Sequence, residues 1–146
     1  MHPVIEHAQP SDGHAIYALL QANHLPLAGL TDHIATALVA RVDGAVVGSV
    51  ALEVYTRSAL LRSVAVAPAW RGQGLGEQLV RAALRLARER KISHVYLLTE
   101  TAQDFFSRLG FHSVERGQVA SDVQQSVEFT SACPLSAAVM VVELQP

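Results

Sequence analysis

Cysteine is nearly absent from this chain: Cys133 is the only one in 146 residues. An intrachain disulfide is thereby excluded, and so is a thiolate cluster able to hold zinc. Aromatic residues make up 5% and charged residues 16%, with 11 Lys and Arg against 13 Asp and Glu for a formal charge of -2. Neutralising many nucleic-acid phosphates takes a basic excess that this composition lacks, so no nucleic-acid partner is expected. Half of the residues are hydrophobic, yet no apolar run approaches the roughly 20 residues of a membrane-spanning helix. No membrane partner is expected either. Residues Met1 to Glu6 hold no basic segment followed by an apolar one, and the expected location is cytoplasmic. The histidines, His2, His7, His14, His24, His33, His94 and His112, fall at no ligand spacing, so no metal is expected.

What is present is a regular succession of strand and helix patterns, of a length suited to one domain spanning residues 1–146. Val4 to His7 reads as a strand. Ser11 and Asp12 then offer N-cap oxygens to a helix carrying Ala15, Ile16, Leu19 and Leu20 on one face. Ala37 to Val42 and Ala45 to Val54 flank Asp43-Gly44, a strong hairpin signal, and Leu60 to Val66 is a further strand closed by Pro68. Leu75, Leu79, Ala82, Ala83, Leu86 and Ala87 recur at helical spacing and predict a helix with one face on a sheet. Val95 to Leu98 reads as a buried strand, and Thr101 to Leu109 as a helix ended by Gly110. The tail predicts a strand near Phe111 to Val114, a short helix from Ser121 to Phe129 and a last strand from Ala138 to Leu144. The hairpins supply antiparallel neighbours, so the fold class is a mixed α/β sheet and not a purely doubly wound one.

Between the strand ending at Val66 and the long helix lies Arg71-Gly72-Gln73-Gly74-Leu75-Gly76. Glycines let a backbone approach a phosphate closely, and the first N–H groups of the following helix point outward with partial positive charge behind them. The dinucleotide fingerprint needs a third small residue one place after Gly76, where Glu77 stands. A P-loop needs Lys then Ser or Thr there, where Glu77 and Gln78 follow. What remains is a pyrophosphate turn headed by an arginine, and a phosphorylated cofactor as its ligand.

The strand Leu60-Leu61-Arg62-Ser63-Val64-Ala65-Val66, Pro68 and the run from Arg71 to Gly76 together resemble the acetyl-CoA motif of the GNAT superfamily of N-acetyltransferases. Ala102-Gln103-Asp104-Phe105-Phe106 with Gly110-Phe111 resembles its second signature. Within the superfamily, Ala59 to Ser63, Tyr96 to Thr99, Phe105-Phe106, Glu128-Phe129 and Cys133 to Ala137 resemble the arsenic-resistance N-acetyltransferases of the ArsN type. A similar tail order occurs in acetyltransferases that modify glutamate or related amino acids.

The resemblance implies a single domain with a mostly antiparallel, twisted mixed sheet flanked by helices, and acetyl-CoA as co-substrate. It implies that the backbone of Val64, Ala65 and Val66 binds the pantetheine arm. The pyrophosphate would lie on Arg71, Gly72, Gln73, Gly74, Leu75 and Gly76, with Arg71 adding a charge-assisted contact. The acetyl group would pass directly to the amine of a small-molecule acceptor, with a backbone donor near Val64 at the oxyanion. Cys133 is then no acyl-enzyme nucleophile. Where many members place a proton-donating tyrosine this chain has Phe106, beside the cofactor, which leaves the general acid open. Thr99 stands where an asparagine often meets the cofactor arm. Glu53 and Glu100, both at strand ends, are the general-base candidates. Arg62 and Arg57 are candidates for an acceptor's carboxylate, against surface ion pairs as the alternative. Protein or peptide acetylation and non-catalytic acyl-CoA binding stand beside the small-molecule reading, and a homodimer through the last strands is a further expectation from the resemblance.

Overall fold

The connections at 43–44 and 55–57 are short enough to return the chain beside itself, and the sheet grows outward from that hairpin. The computed structural model describes residues 2–145, with the backbone alone at Ser131 and Ala132. The elements are β1 (Val4–His7), α1 (Gly13–Ala22), β2 (Ala37–Val42), β3 (Ala45–Val54), β4 (Ser58–Val66), α2 (Leu75–Glu89), β5 (His94–Thr99), α3 (Gln103–Arg108), β6 (His112–Ser113) and β7 (Ala138–Glu143). The seven strands form one sheet in the order β1-β2-β3-β4-β5-β7-β6. All neighbours are antiparallel except β4 and β5. The mixed α/β class read from the sequence is the observed one.

Alternation along the strands sorts the side chains to two faces. Leu38, Ala40, Val50, Leu52, Ala59, Leu61, Val95, Leu97 and Met140 face α2, whose Leu75, Leu79, Val80, Ala83 and Ala87 complete the larger core. The other face has two covers. Over β2 and β3, Ala37, Val39 and Ala51 meet Ile16, Leu19 and Leu20 of α1. Farther along, Leu60, Tyr96, Val139 and Val141 are covered by Val119 and Val123 from the long connection between β6 and β7. At roughly 25 cal/mol per Å² of apolar area, each fully buried leucine contributes about 2 kcal/mol, which makes these faces the main source of stability.

The structure corrects two local expectations. Residues Pro10–Asp12 form a single 3-10 turn, and no side chain caps α1. Asp12 instead accepts from Gln9 N–H (2.8 Å) and pairs with Arg41 (3.0 Å), whose guanidinium holds the Asp12 carboxyl below the ordinary range. The helix expected over Ser121 to Phe129 is a 3-10 turn at Val123–Gln125 followed by a π turn at Glu128–Ala132. This stretch covers the sheet with Val123 and turns twice, which a continuous helix of that length does not do.

β4 and β5 pair only from Ser58 to Leu60 against His94 to Tyr96. Beyond that point a bulge intervenes: the β3–β4 register slips between Ser49 and Ala51, and Ser63 takes a left-handed conformation with φ of 61°. Such a residue costs on the order of 1–3 kcal/mol and persists only where its surroundings hold it. Here Ser49 Oγ donates to Ser63 O (2.8 Å) and Arg62 Nε donates to Ser63 Oγ (3.1 Å). The bulge turns β4 away from β5 and opens a cleft between them.

Candidate active site

The cleft has a volume of about 490 Å³. Its walls are Leu61, Arg62, Ser63 and Val64 of β4, Leu97 to Ala102 after the splay, Phe105 and Phe106, and Glu128 and Cys133 from the covering connection. Among the described residues, no strand pairs with the β5-side edge of β4 beyond Leu60, which leaves backbone polar groups from Leu61 onward without a strand partner there, Ser63 O and Val66 O accepting instead from the Ser49 and Arg71 side chains. An extended amide-bearing arm finds the partners there that an added strand would find.

A second cavity of about 380 Å³ lies at the end of β4, lined by Val66, Trp70, Arg71, Gly72, Gly74, Leu75, Gly76, Phe105 and Arg108, among others. Gly72 and Gly74 have φ of 76° and 85°, conformations that a side chain strains. Gly74 is the N-cap of α2 without a side-chain cap, and the first helical hydrogen bond runs from Gln78 N–H to Gly74 O (3.1 Å). The preceding N–H groups point into the turn with the dipole of a 15-residue helix behind them. Leu75 is buried and anchors the helix start, and Gln73 turns back to Ala69 O (3.3 Å). Arg71 donates to Val66 O (3.2 Å) and Asn23 Oδ1 (2.9 Å), tying the turn to β4 and to the end of α1. These donors fit a pyrophosphate, and the free edge of Val64, Ala65 and Val66 leads from it toward the cleft.

Below the cleft lies a buried charge cluster that the sequence reading did not assemble. Arg62 stands opposite Ala51 and Glu53 opposite Leu60, which makes Arg62 and Glu53 diagonal neighbours on one face of the sheet. Arg62 Nη1 donates to Glu53 Oε2 (2.8 Å), and Arg62 Nη2 reaches Pro26 O (3.3 Å). Glu128, carried in by the π turn, brings Oε2 to 3.2 Å from Arg62 Nε. All three residues are less than 5% exposed.

The two carboxylates are held differently. Burial pushes Glu53 up, but hydrogen bonds from Ser126, Tyr55 and Arg62 together hold its carboxyl below the ordinary value. Glu128 has the Arg62 charge nearby, but the Nε–H is directed to Ser63 Oγ. Its other oxygen has the Cys133 thiol at 3.8 Å. Burial therefore prevails and raises Glu128 to about 7, with Arg62 opposing and the Glu53 charge adding to the rise. Burial and then the Glu128 charge push the Cys133 thiol up to about 12.

The structure places the residues singled out in the sequence as follows. Glu53 is not among the residues lining the cleft, and its oxygens accept from Arg62 (2.8 Å) and Tyr55 (2.7 Å). Arg62 lines the cleft, with Nε, Nη1 and Nη2 each donating within the protein, to Ser63, Glu53 and Pro26. Arg57 lies just before the start of β4, at the opposite end of the strand from the splay, and is not among the residues lining the cleft. Thr99 and Glu100 do line it, with the Thr99 hydroxyl accepting from Ala102 N–H (3.0 Å) at the turn into α3. Phe106 borders the cleft while packing edge-on against Phe105 and Phe111 (5.0 and 5.6 Å between ring centres). Glu128 is a charged residue lining the cleft that was not among the sequence candidates. The available signal was its isolation: it is the only charged residue between Asp122 and Glu143.

Residues 33–113 match the acetyltransferase (GNAT) domain family. An amino-acid acetyltransferase of Mycobacterium tuberculosis is 36% identical over 132 residues, covering 83% of this chain and 75% of that protein. The crystal structure of Rv2747 from Mycobacterium tuberculosis in complex with CoA and NLQ superposes with a TM-score of 0.82 at 29% identity, covering 98% of this chain and all of that one. The N-acetylglutamate synthase of Neisseria gonorrhoeae, complexed with coenzyme A and N-acetyl-glutamate, shares the fold, with a TM-score of 0.85 at 21% identity over all of this chain and 36% of that one. This chain therefore belongs to the GNAT superfamily as an N-acetyltransferase with acetyl-CoA as co-substrate.

Proposed function

We propose that residues 1–146 act as one domain that transfers acetyl to the amine of a small molecule of about amino-acid size, seated in the cleft between β4 and β5. The observation that carries this reading is the cleft itself. It is closed on one side by the connection between β6 and β7, and its volume of about 490 Å³ suits a small acceptor beside a thioester better than a long peptide. The name of the mycobacterial relative, an amino-acid acetyltransferase, supports the same class.

In this reading the backbone of Val64 to Val66 takes the pantetheine amides, and the N–H groups from Arg71 to Gly76 take the pyrophosphate. Acetyl-CoA supplies a thioester carbonyl carbon open to attack by a neutral amine. Phe106 donates no proton and serves as a wall. Within the superfamily we assign the chain to the arsenic-resistance ArsN type. In support, Glu128, Cys133 and Ala137, which belong to the tail carrying that resemblance, are cleft-lining residues. One cysteine is too few for a trivalent arsenic site, so the arsenic compound would be an organic amine, recognised as such.

A thiol-release assay with acetyl-CoA across amino acids, arsenic-containing amino acids, polyamines and peptides tests this. Turnover is expected with one or more of the small amines. Turnover confined to peptides, or acetyl-CoA binding without thiol release on any acceptor, refutes it.

A further inference from the structure

We propose that Glu128 receives the acceptor's ammonium group and takes its proton, while Arg62, gripped by Glu53, positions the Glu128 carboxylate. The inference rests on the reading of the cleft as the acceptor site.

Charge balance is the first argument. Glu53 and Glu128 converge on one guanidinium, so the buried cluster is one negative charge in excess when both acids are ionised. Glu53 has spent its oxygens on Arg62 and Tyr55, so the excess resides on Glu128. A cationic amine entering the cleft neutralises it; an anionic group does not.

Hydrogen bonding is the second argument. The N–H nearest Glu128 is turned to Ser63 Oγ, and a thiol at 3.8 Å is a weak donor. Lone pairs on the carboxylate are thus available to an ammonium. The charged and titratable groups around Glu128 are Arg62 on β4, Glu53 on β3 with His33 3.9 Å from it, Tyr55 after β3, Cys133 on the same connection and Glu100 across the cleft. Of these, Arg62 favours the ionised carboxylate, whereas Glu53 and burial favour the protonated one. The result is an acid that titrates close to neutrality, the range in which a carboxylate accepts a proton from an amine and returns it to water. Arg62 Nε lies 3.2 Å from this carboxylate and 3.1 Å from Ser63 Oγ, and Glu128 shares the cleft with Ser63 and Val64, so the amine is held beside the strand along which the thioester arm would lie.

The proton and electron balance closes. The ammonium gives one proton to Glu128. The freed nitrogen pair forms the N–C bond to the acetyl carbon, and the C–S bond breaks with its electron pair on sulfur. The second proton leaves the nitrogen as the amide forms and is taken up by the thiolate, and Glu128 returns the first to solvent. No other reactant is needed.

The test is the pH dependence of kcat/KM with an active small amine and with analogues of graded basicity. The wild type should show an acid limb near pH 7 that stays in place along the series. Glu128→Gln should retain acetyl-CoA binding measured by calorimetry, lose that limb, and fall roughly 100-fold or more near pH 7.5. Should Glu128→Gln not fold, the series alone decides, because a limb that follows the amine's own basicity overturns the proposal. An unchanged limb in Glu128→Gln overturns it as well while leaving the acceptor reading intact. A wild type that turns over no small amine overturns both.

Discussion

Replacing Glu128 by glutamine converts the excess charge of the buried cluster into a stability measurement. In the folded chain this carboxyl is raised by burial from 4.5 to about 7. A raised carboxyl means that the folded state binds the proton more tightly than the unfolded one. The stabilisation is therefore fully present below pH 4.5 and is lost as the pH rises through 7. At 1.36 kcal/mol for each pH unit of that gap, the whole effect is about 3 kcal/mol, and about 2.5 kcal/mol of it falls between pH 5 and pH 9. Glutamine occupies nearly the same volume and carries no charge, so the variant escapes this loss. Relative to wild type, Glu128→Gln should gain about 2.5 kcal/mol on going from pH 5 to pH 9, or roughly 5–10 °C in Tm for a chain of this size. Thermal melts of both proteins at pH 5, 7 and 9, followed by circular dichroism, read it directly. A Tm difference that stays flat across that range refutes the placement of an under-compensated carboxylate beneath the cleft.

Removing the cation acts in the opposite sense. Arg62→Met leaves two buried carboxylates without their partner and should destabilise the chain by about 3–5 kcal/mol in urea unfolding, less at pH 5, where Glu128 is already protonated. Gly74→Ala places a side chain at φ of 85° and should cost about 1–2 kcal/mol, while weakening acetyl-CoA binding measured by calorimetry. The Cys133 thiol, pushed up to about 12, should resist iodoacetamide at pH 8 in the native protein and react readily in urea.

Local signals were strong where structure is built from neighbours in sequence. Asp43-Gly44 between two β-rich runs specified a hairpin whose strands, Ala37–Val42 and Ala45–Val54, have the predicted bounds. Helical spacing from Leu75 and the glycines before it located α2 and the anion-facing turn. The connection between β6 and β7 was harder, because 3-10 and π turns carry no lasting periodicity and take their shape from the sheet they cover. Arg62 and Glu53 were each visible as one charge in an apolar strand. What they bind was not, since a salt bridge across a diagonal register and a third partner from a loop near the chain's end are contacts between distant residues.

The amino-acid sequence by itself therefore determined the sheet-forming segments, the helix that packs on them and the glycine turn before that helix, since propensity, periodicity and glycine act within a few residues. The tertiary structure decided which charges face the cleft. It buried Glu53 and Arg62 together, brought Glu128 to their edge, and left at the cleft an acid whose proton affinity depends on burial and on neighbours that only folding brings together.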